Sequence, residues 1–237
     1  MTSIDAIINR QLMRWELERN RALENPSTPR PPILPIVTIS RQTGSRGSYF
    51  GSRLAQKLGY QRLHRDVVEA ITRESGYFKR VVESLDEHVR SSLDVMVEGF
   101  FSGHAVDNAD YIRNLSKVVL SMSELGGVIL MGRGGNFILG MNRGFHIRFV
   151  APVQSRIENL VKYSQFIERH AAERIKESDQ ERKEFIKKLF NADIDDPTRY
   201  DMVINSERMD VEDLLEVVTF AIRAKMNKLS HMREDGE

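Results

Sequence analysis

Ile36-Val-Thr-Ile-Ser40 runs directly into Arg41-Gln-Thr-Gly-Ser-Arg-Gly-Ser-Tyr49, and this junction decides the fold. A short β-branched run is strand material, and the Gly/Ser-rich turn after it ends the strand. From Tyr49 to Leu58 the spacing becomes helical: Phe50, Leu54 and Leu58 stand four apart, on a face suited to covering a sheet, and Gly59 is placed to end the helix. A turn of this kind between a strand and a helix exposes successive backbone N–H groups at a helix N-terminus. There the donors and the helix macrodipole both favour phosphate. The plainer alternative is an ordinary strand-to-helix turn, in which Gly and Ser are common anyway.

Downstream, the same alternation continues. A short strand is expected around Tyr60–Leu63, and Val128–Met131, His146–Val150 and Met202–Ile204 are apolar runs of strand length, the first two followed by loop signals. Residues 67 to about 124 read as mostly helical, with loops near Gly76 and Gly99–Asp110. A long charged helical region, Pro152 to Phe190, separates the last two strands, and Asp210 opens a C-terminal amphipathic helix. Strands alternating with helices, with little polar alternation inside the strands, predict a parallel sheet covered on both faces, with ligands at the carboxyl ends of its strands.

Upstream, Ile4, Ile8, Leu12 and Trp15 form an apolar stripe at helical spacing, giving an N-terminal amphipathic helix over 1–24. Residues 25–35 hold five of the seven prolines and read as a semi-rigid linker. The main domain then covers 36–226, and 227–237 is a polar tail. A stripe that includes Trp15 needs burial, on its own domain or in a partner protomer, and homodimerisation through this helix is the expectation.

Composition narrows the function. The 237 residues are 41% hydrophobic and 29% charged, an ordinary globular balance sized for one large domain. With no Cys, a disulfide scaffold, a thiol nucleophile and a Cys-ligated metal are excluded. No apolar run is long enough to span a bilayer and the first twenty residues lack a signal-type apolar core, so a cytoplasmic protein without a membrane partner is expected. Lys+Arg 35 against Asp+Glu 34 gives no reason to expect nucleic acid. The distribution is more telling. Residues 36–75 carry seven basic residues against three acidic ones, and residues 127–156 carry Arg133, Arg143, Arg148 and Arg156 with no acid. Brought together, the two segments would focus positive potential on a small anion.

Two further features add chemistry. Val128-Ile-Leu-Met-Gly-Arg-Gly-Gly-Asn-Phe137 is a buried strand ending in a glycine turn that carries Arg133, whose planar fork suits phosphate. Read blandly, Arg133 is a surface arginine in a loop. Glu168 to Phe190 contains Asp179 and Arg182, three apart on one helix face. Alone, that segment reads first as a solvated helix laced with ion pairs; the functional reading is a mobile lid whose arginines close over phosphates.

Together these motifs resemble the cytidylate kinase-like P-loop proteins of bacteria. The residues that carry the resemblance are Ile39-Ser-Arg-Gln-Thr-Gly-Ser-Arg-Gly47, Leu54-Ala55, Lys57-Leu-Gly-Tyr60, Arg65-Asp66, Met131-Gly-Arg-Gly-Gly135, Arg148-Phe-Val-Ala-Pro152 with Arg156, Asp179-Gln-Glu-Arg182, and Asp196-Pro197 with Tyr200-Asp-Met-Val-Ile-Asn205. The resemblance implies an α/β P-loop NTPase fold of the nucleotide-kinase type: three layers, a parallel five-stranded sheet, a helical NMP-binding insertion and a lid. It further implies transfer of a phosphoryl group from ATP, with Mg²⁺, to a nucleoside monophosphate of the CMP kind. Carried over by position, Ser40, Arg41, Gly44, Ser45, Arg46, Gly47 and Ser48 would cradle the ATP phosphates, and Asp66 and Arg133 would face the acceptor. Arg46, Asp179 and Arg182 would serve catalysis, with Arg182 reaching the transferring group. Asp66 has an equal claim to be a helix cap, since Asp66-Val-Val-Glu69 looks like the start of a capping box.

One departure stands out. Aligned on the loop's glycines, Gly47 occupies the P-loop lysine position and Tyr49 that of the magnesium-binding hydroxyl. Two readings therefore stand: a kinase in which Arg41 and Arg46 replace the lysine, and a nucleotide-binding regulatory module without turnover.

Overall fold

In a computed structural model of the protein, residues 4–24, 34–85, 87–101 and 109–234 are described. Most of the proline-rich linker lies outside them. Five strands form one sheet in the order β2-β3-β1-β4-β5. They are β1 (Val37–Arg41), β2 (Gln61–Leu63), β3 (Val128–Met131), β4 (Phe145–Val150) and β5 (Met202–Asn205). The ladders of β1 with β3, β1 with β4 and β4 with β5 are all parallel, as the alternation of strands and helices predicts. The fold is thus the expected α/β arrangement around a five-stranded sheet.

The helices are α1 (Ile4–Glu24), α2 (Gly47–Leu58), α3 (Arg65–Arg73), α4 (Ser75–Glu83), α5 (Glu87–Phe101), α6 (Ala109–Leu125), α7 (Gly135–Leu139), α8 (Val153–Ser164), α9 (Glu168–Phe190) and α10 (Val211–Glu234). The chain divides into two compact units, residues 1–36 with 63–128 and residues 37–62 with 129–237.

In the second unit, Val37, Ile39, Ile129, Met131, Ile147 and Phe149 from the strands form one core with Phe50 and Leu54 of α2 and with Leu214, Leu215 and Val218 of α10. Phe50 meets Phe149 at 4.8 Å between ring centroids. Each such side chain, fully buried, contributes about 1.5–3 kcal/mol. That core clamps α2 onto β1, and so fixes the loop between them.

Unit one is helical. Helix α3 packs on α4 and α6, and α5 packs on α6. Helix α1 is tied to α4 by Tyr77, whose hydroxyl donates to Asp5, and by Arg80, which donates to Asn9. Ile8 and Leu12 of the apolar stripe are buried within the chain itself, so this part of the stripe does not need a partner protomer for burial; Met13 and Leu17 are exposed.

Several boundaries differ from the sequence expectation. The loop expected near Gly76 is the single extended residue Glu74 between α3 and α4, and Gly76 itself lies inside α4. The charged region 152–190 is two helices, because Gln165 takes a left-handed conformation (φ 56) that ends α8. Residues 227–234, expected as tail, continue α10. That segment, polar but free of Gly and Pro before its end, has nothing in it to stop a helix. Asp66 is not a cap: α3 begins at Arg65 with His64 in the N-cap position and no side-chain cap bond.

Buried between strands, His146 accepts at Nδ1 from the Thr38 hydroxyl (2.8 Å) and donates from Nε2 to the Gly140 carbonyl (2.8 Å). A carbonyl only accepts, which fixes the neutral tautomer. Burial pushes its pKa below the ordinary imidazole value, with the nearby Lys225 acting in the same direction. The unfolded chain therefore binds this proton more readily. The contribution is fully present above pH ~6.5 and is lost progressively as pH falls below it, toward the folded pKa. Unfolding free energy should drop between pH 7 and pH 5 in the wild type, and the drop should be smaller in His146→Gln; equal slopes in denaturant titrations would refute this.

Candidate functional site

The loop between β1 and α2 is held in place from several sides. Gln42 N–H donates to the Phe149 carbonyl (3.0 Å), and Ala151 N–H donates to the Gln42 side chain (3.1 Å). The Ser45 hydroxyl donates to the Gln42 carbonyl (2.8 Å), and Ser206 donates to the Ser45 carbonyl (2.7 Å). Asn159 of α8 donates to the Gly44 carbonyl (3.0 Å). With its carbonyls tied back, the loop is a preorganised turn leading into the N-terminus of α2. It borders a cavity of about 490 Å³, lined also by Tyr163 of α8 and Arg182 of α9.

Two backbone positions make the turn possible. Gly44 has φ +80, and Arg46, the N-cap of α2, has φ 58. A non-glycine residue in the left-handed region is uncommon, and here its side chain is held: the Arg46 guanidinium lies over the Tyr49 ring (5.2 Å) and the Tyr163 ring (5.1 Å).

Asp179 and Arg182 do reach the loop. Asp179 Oδ1 accepts from Thr43 N–H (3.0 Å) and from Arg182 (3.1 Å), while its Oδ2 accepts from buried Arg156. Arg182 also donates to the Thr43 hydroxyl (2.6 Å). The ion pair read from the i, i+3 spacing exists, but as part of a cluster closed on the loop and not on a solvated face. Both basic segments meet here, since the Gly44 Cα stands against the Arg156 backbone. Charge-assisted bonds of this kind are the strong ones.

Ser40, placed in the phosphate cradle by sequence, accepts from buried Arg148 (2.7 Å). Arg148 also pairs with Asp195 (2.6 Å), which is shared with Lys183 (2.8 Å). Burial disfavours the charge on Asp195, yet the bonds from Lys183 and Arg148 hold its carboxyl below the usual range. Arg133 follows β3 in the turn Gly132–Gly135 with φ 56, and its guanidinium lies over the Phe185 ring of α9 (5.1 Å). Asp66, in the other unit, is exposed on the first turn of α3 beside Arg65. Ser48 is exposed at the start of α2 and accepts from Arg41 Nε (3.3 Å). Sequence reasoning assigned no role to Arg156, Asn159 or Tyr163. The signals for Arg156 were its place in a segment without acids and among the residues that carry the resemblance.

Such a site can hold a polyanion: backbone N–H groups at a helix start, and Arg41, Arg46 and Arg182 around one cavity. Among the described residues no cluster of His, Cys, Asp and Glu could hold a metal ion, and no helix is long and apolar enough to cross a membrane.

The solved structure of an uncharacterized protein from Eubacterium ventriosum superposes with a TM-score of 0.61 at 16% identity, covering 80% of this chain and 98% of that one. A cytidylate kinase of Methanocaldococcus jannaschii is 28% identical over 125 residues, 52% of this chain and 70% of its own length. A cytidylate kinase of Pyrococcus horikoshii is 21% identical over 188 residues, 79% of this chain and 88% of its own. The family model for the cytidylate kinase-like family matches residues 36–208, from the strand before the loop to just past β5. With this match over most of its length, the chain belongs to the cytidylate kinase-like family.

Proposed function

We propose that the protein transfers the γ-phosphoryl group of ATP to a nucleoside monophosphate, with CMP the first acceptor to test because two relatives that the chain resembles over half or more of its length are cytidylate kinases. The observation that carries the reading is the preorganised loop at the start of α2, opening on a cavity with Arg41 and Arg182 in its wall. Phosphoryl transfer needs little covalent chemistry from a protein. It needs positioning, and neutralisation of charge on the transferring group. The loop N–H groups and the arginines offer both. In this reading Arg182 swings from Thr43 and Asp179 onto the transferring phosphate, and Arg133 receives the acceptor phosphate.

The donors around the loop do not fit a magnesium ion held by the protein. Asp179 is committed to Arg156, Arg182 and Thr43 N–H, and Ser48 accepts from Arg41. Tyr49 is exposed beside Arg46. Magnesium would enter on the nucleotide's own phosphate oxygens.

The alternative, a nucleotide-binding module without turnover, draws on two observations: glycine stands at the lysine position, and the Asp179 carboxylate takes up a loop N–H. Radiolabelled ATP incubated with a panel of monophosphates, with Mg²⁺ or Mn²⁺, decides between the two. Label on CMP supports the kinase; ATP binding without transfer to any acceptor supports the module.

Arg133→Ala should weaken monophosphate binding by about 1.5–3 kcal/mol, the loss of one charge-assisted contact, and leave ATP binding nearly intact. Equal losses for both ligands in calorimetry would remove Arg133 from the acceptor site.

A further inference from the structure

A side chain at position 47 has no room. Gly47 is buried at the start of α2, and a Cβ there would lie 2.9 Å from the Cβ of Arg41 and 2.9 Å from the Cβ of Phe149. Cβ atoms move only with their backbone, so no change of rotamer relieves the overlap. The space that a lysine stem would need is taken by the root of Arg41. From there Arg41 runs along the cavity wall. Its Nε donates to the Ser48 hydroxyl (3.3 Å), and its Nη1 lies 2.9 Å from where a Cβ on Gly132 would stand. Gly47 at its root and Gly132 at its head therefore leave a channel for one arginine, which runs from the phosphate-type loop to the turn that carries Arg133.

We propose that Arg41 and Gly47 are an exchanged pair: the cation that a P-loop supplies from the first residue of its helix comes here from the last residue of β1. Resting on the phosphoryl-transfer reading, this assigns Arg41 to the phosphate chain of the donor, with its guanidinium between donor and acceptor. An arginine fits that place better than a lysine, because its planar fork offers parallel N–H groups to two oxygens at once. Arg46 is the weaker candidate. It sits in the left-handed region at the helix cap, and the two tyrosine rings already engage its guanidinium.

The test uses the full chain and inorganic tripolyphosphate, followed by titration calorimetry, with thermal melting of each variant as the check on folding. Arg41→Ala should lower tripolyphosphate affinity at least tenfold, Arg41→Lys should return it to within about threefold of wild type, and Arg46→Ala should cost less than Arg41→Ala. Affinity within twofold of wild type for Arg41→Ala overturns the assignment. So does a larger loss for Arg46→Ala, or a wild type that does not bind tripolyphosphate. The two readings fail separately: a wild type that binds tripolyphosphate but transfers no phosphoryl group ends the kinase reading, and Arg41 keeps its place at the phosphates.

Discussion

Asp179→Ala lowers the unfolding free energy by about 3–5 kcal/mol, the range for removing one partner of a buried ion pair. The Arg156 side chain is 7% exposed and that of Asp179 is 19% exposed, so solvent cannot take over the interaction. The substitution strands Arg156, removes the acceptor of Thr43 N–H, and takes the nearest anion from Arg182. The last two effects fall on the loop itself. Asp179→Asn keeps an oxygen for Thr43 N–H but turns an NH2 donor toward Arg156 in place of Oδ2, so it should recover only a small part of the stability. It should also bind tripolyphosphate more tightly than wild type, because a fixed negative charge has left the anion site. Chemical denaturation and calorimetry read the two effects independently. A loss under 1 kcal/mol for Asp179→Ala would return the cluster to the class of surface ion pairs.

This cluster marks where the sequence stops being informative. All five strands were legible to within about a residue: β3 and most of β4 are apolar runs buried on both faces, while β2 and β5 were placed by the turn signals around them. The loop was legible for the same local reason: strand, Gly/Ser turn and helix are contiguous. What α9 does was not. Its charge pattern is that of a solvated helix, and the spacing of Asp179 and Arg182 reports only on each other. Their common partner, Thr43, lies 136 residues before Asp179, and periodicity carries no information at that range. Arg156 was hidden likewise, since a buried arginine and an exposed one look alike in sequence until the acceptor is known. The glycine at position 47 gave the opposite difficulty. The sequence left Arg41 and Arg46 level as replacements for the lysine, and only the volume around Gly47 favours Arg41.

Gly44→Ala should be the most damaging single substitution in the loop, costing about 4 kcal/mol. Two penalties add because they have separate origins. The backbone at Gly44 has φ +80, where an L-residue with a Cβ pays about 1–2 kcal/mol. The added methyl would then stand 2.5 Å from the Arg156 carbonyl oxygen and 2.9 Å from its Cβ, and overpacking of that kind costs about 1–3 kcal/mol. Neither contact is the free end of a side chain, so relief requires the loop or α8 to move. Either movement breaks the bond from Asn159 to the Gly44 carbonyl, and displaces Arg156 from Asp179. Stability and anion binding should therefore fall together, with tripolyphosphate affinity reduced at least tenfold even at temperatures where the variant remains folded. Gly59→Ala is the control. Its φ of +66 imposes a similar backbone penalty, but nothing lies within 4 Å of the added methyl. It should lose only about 1–2 kcal/mol and keep its anion affinity. If the two variants melt alike, the close approach of Gly44 to Arg156 contributes nothing, and the loop is softer than its hydrogen bonds indicate.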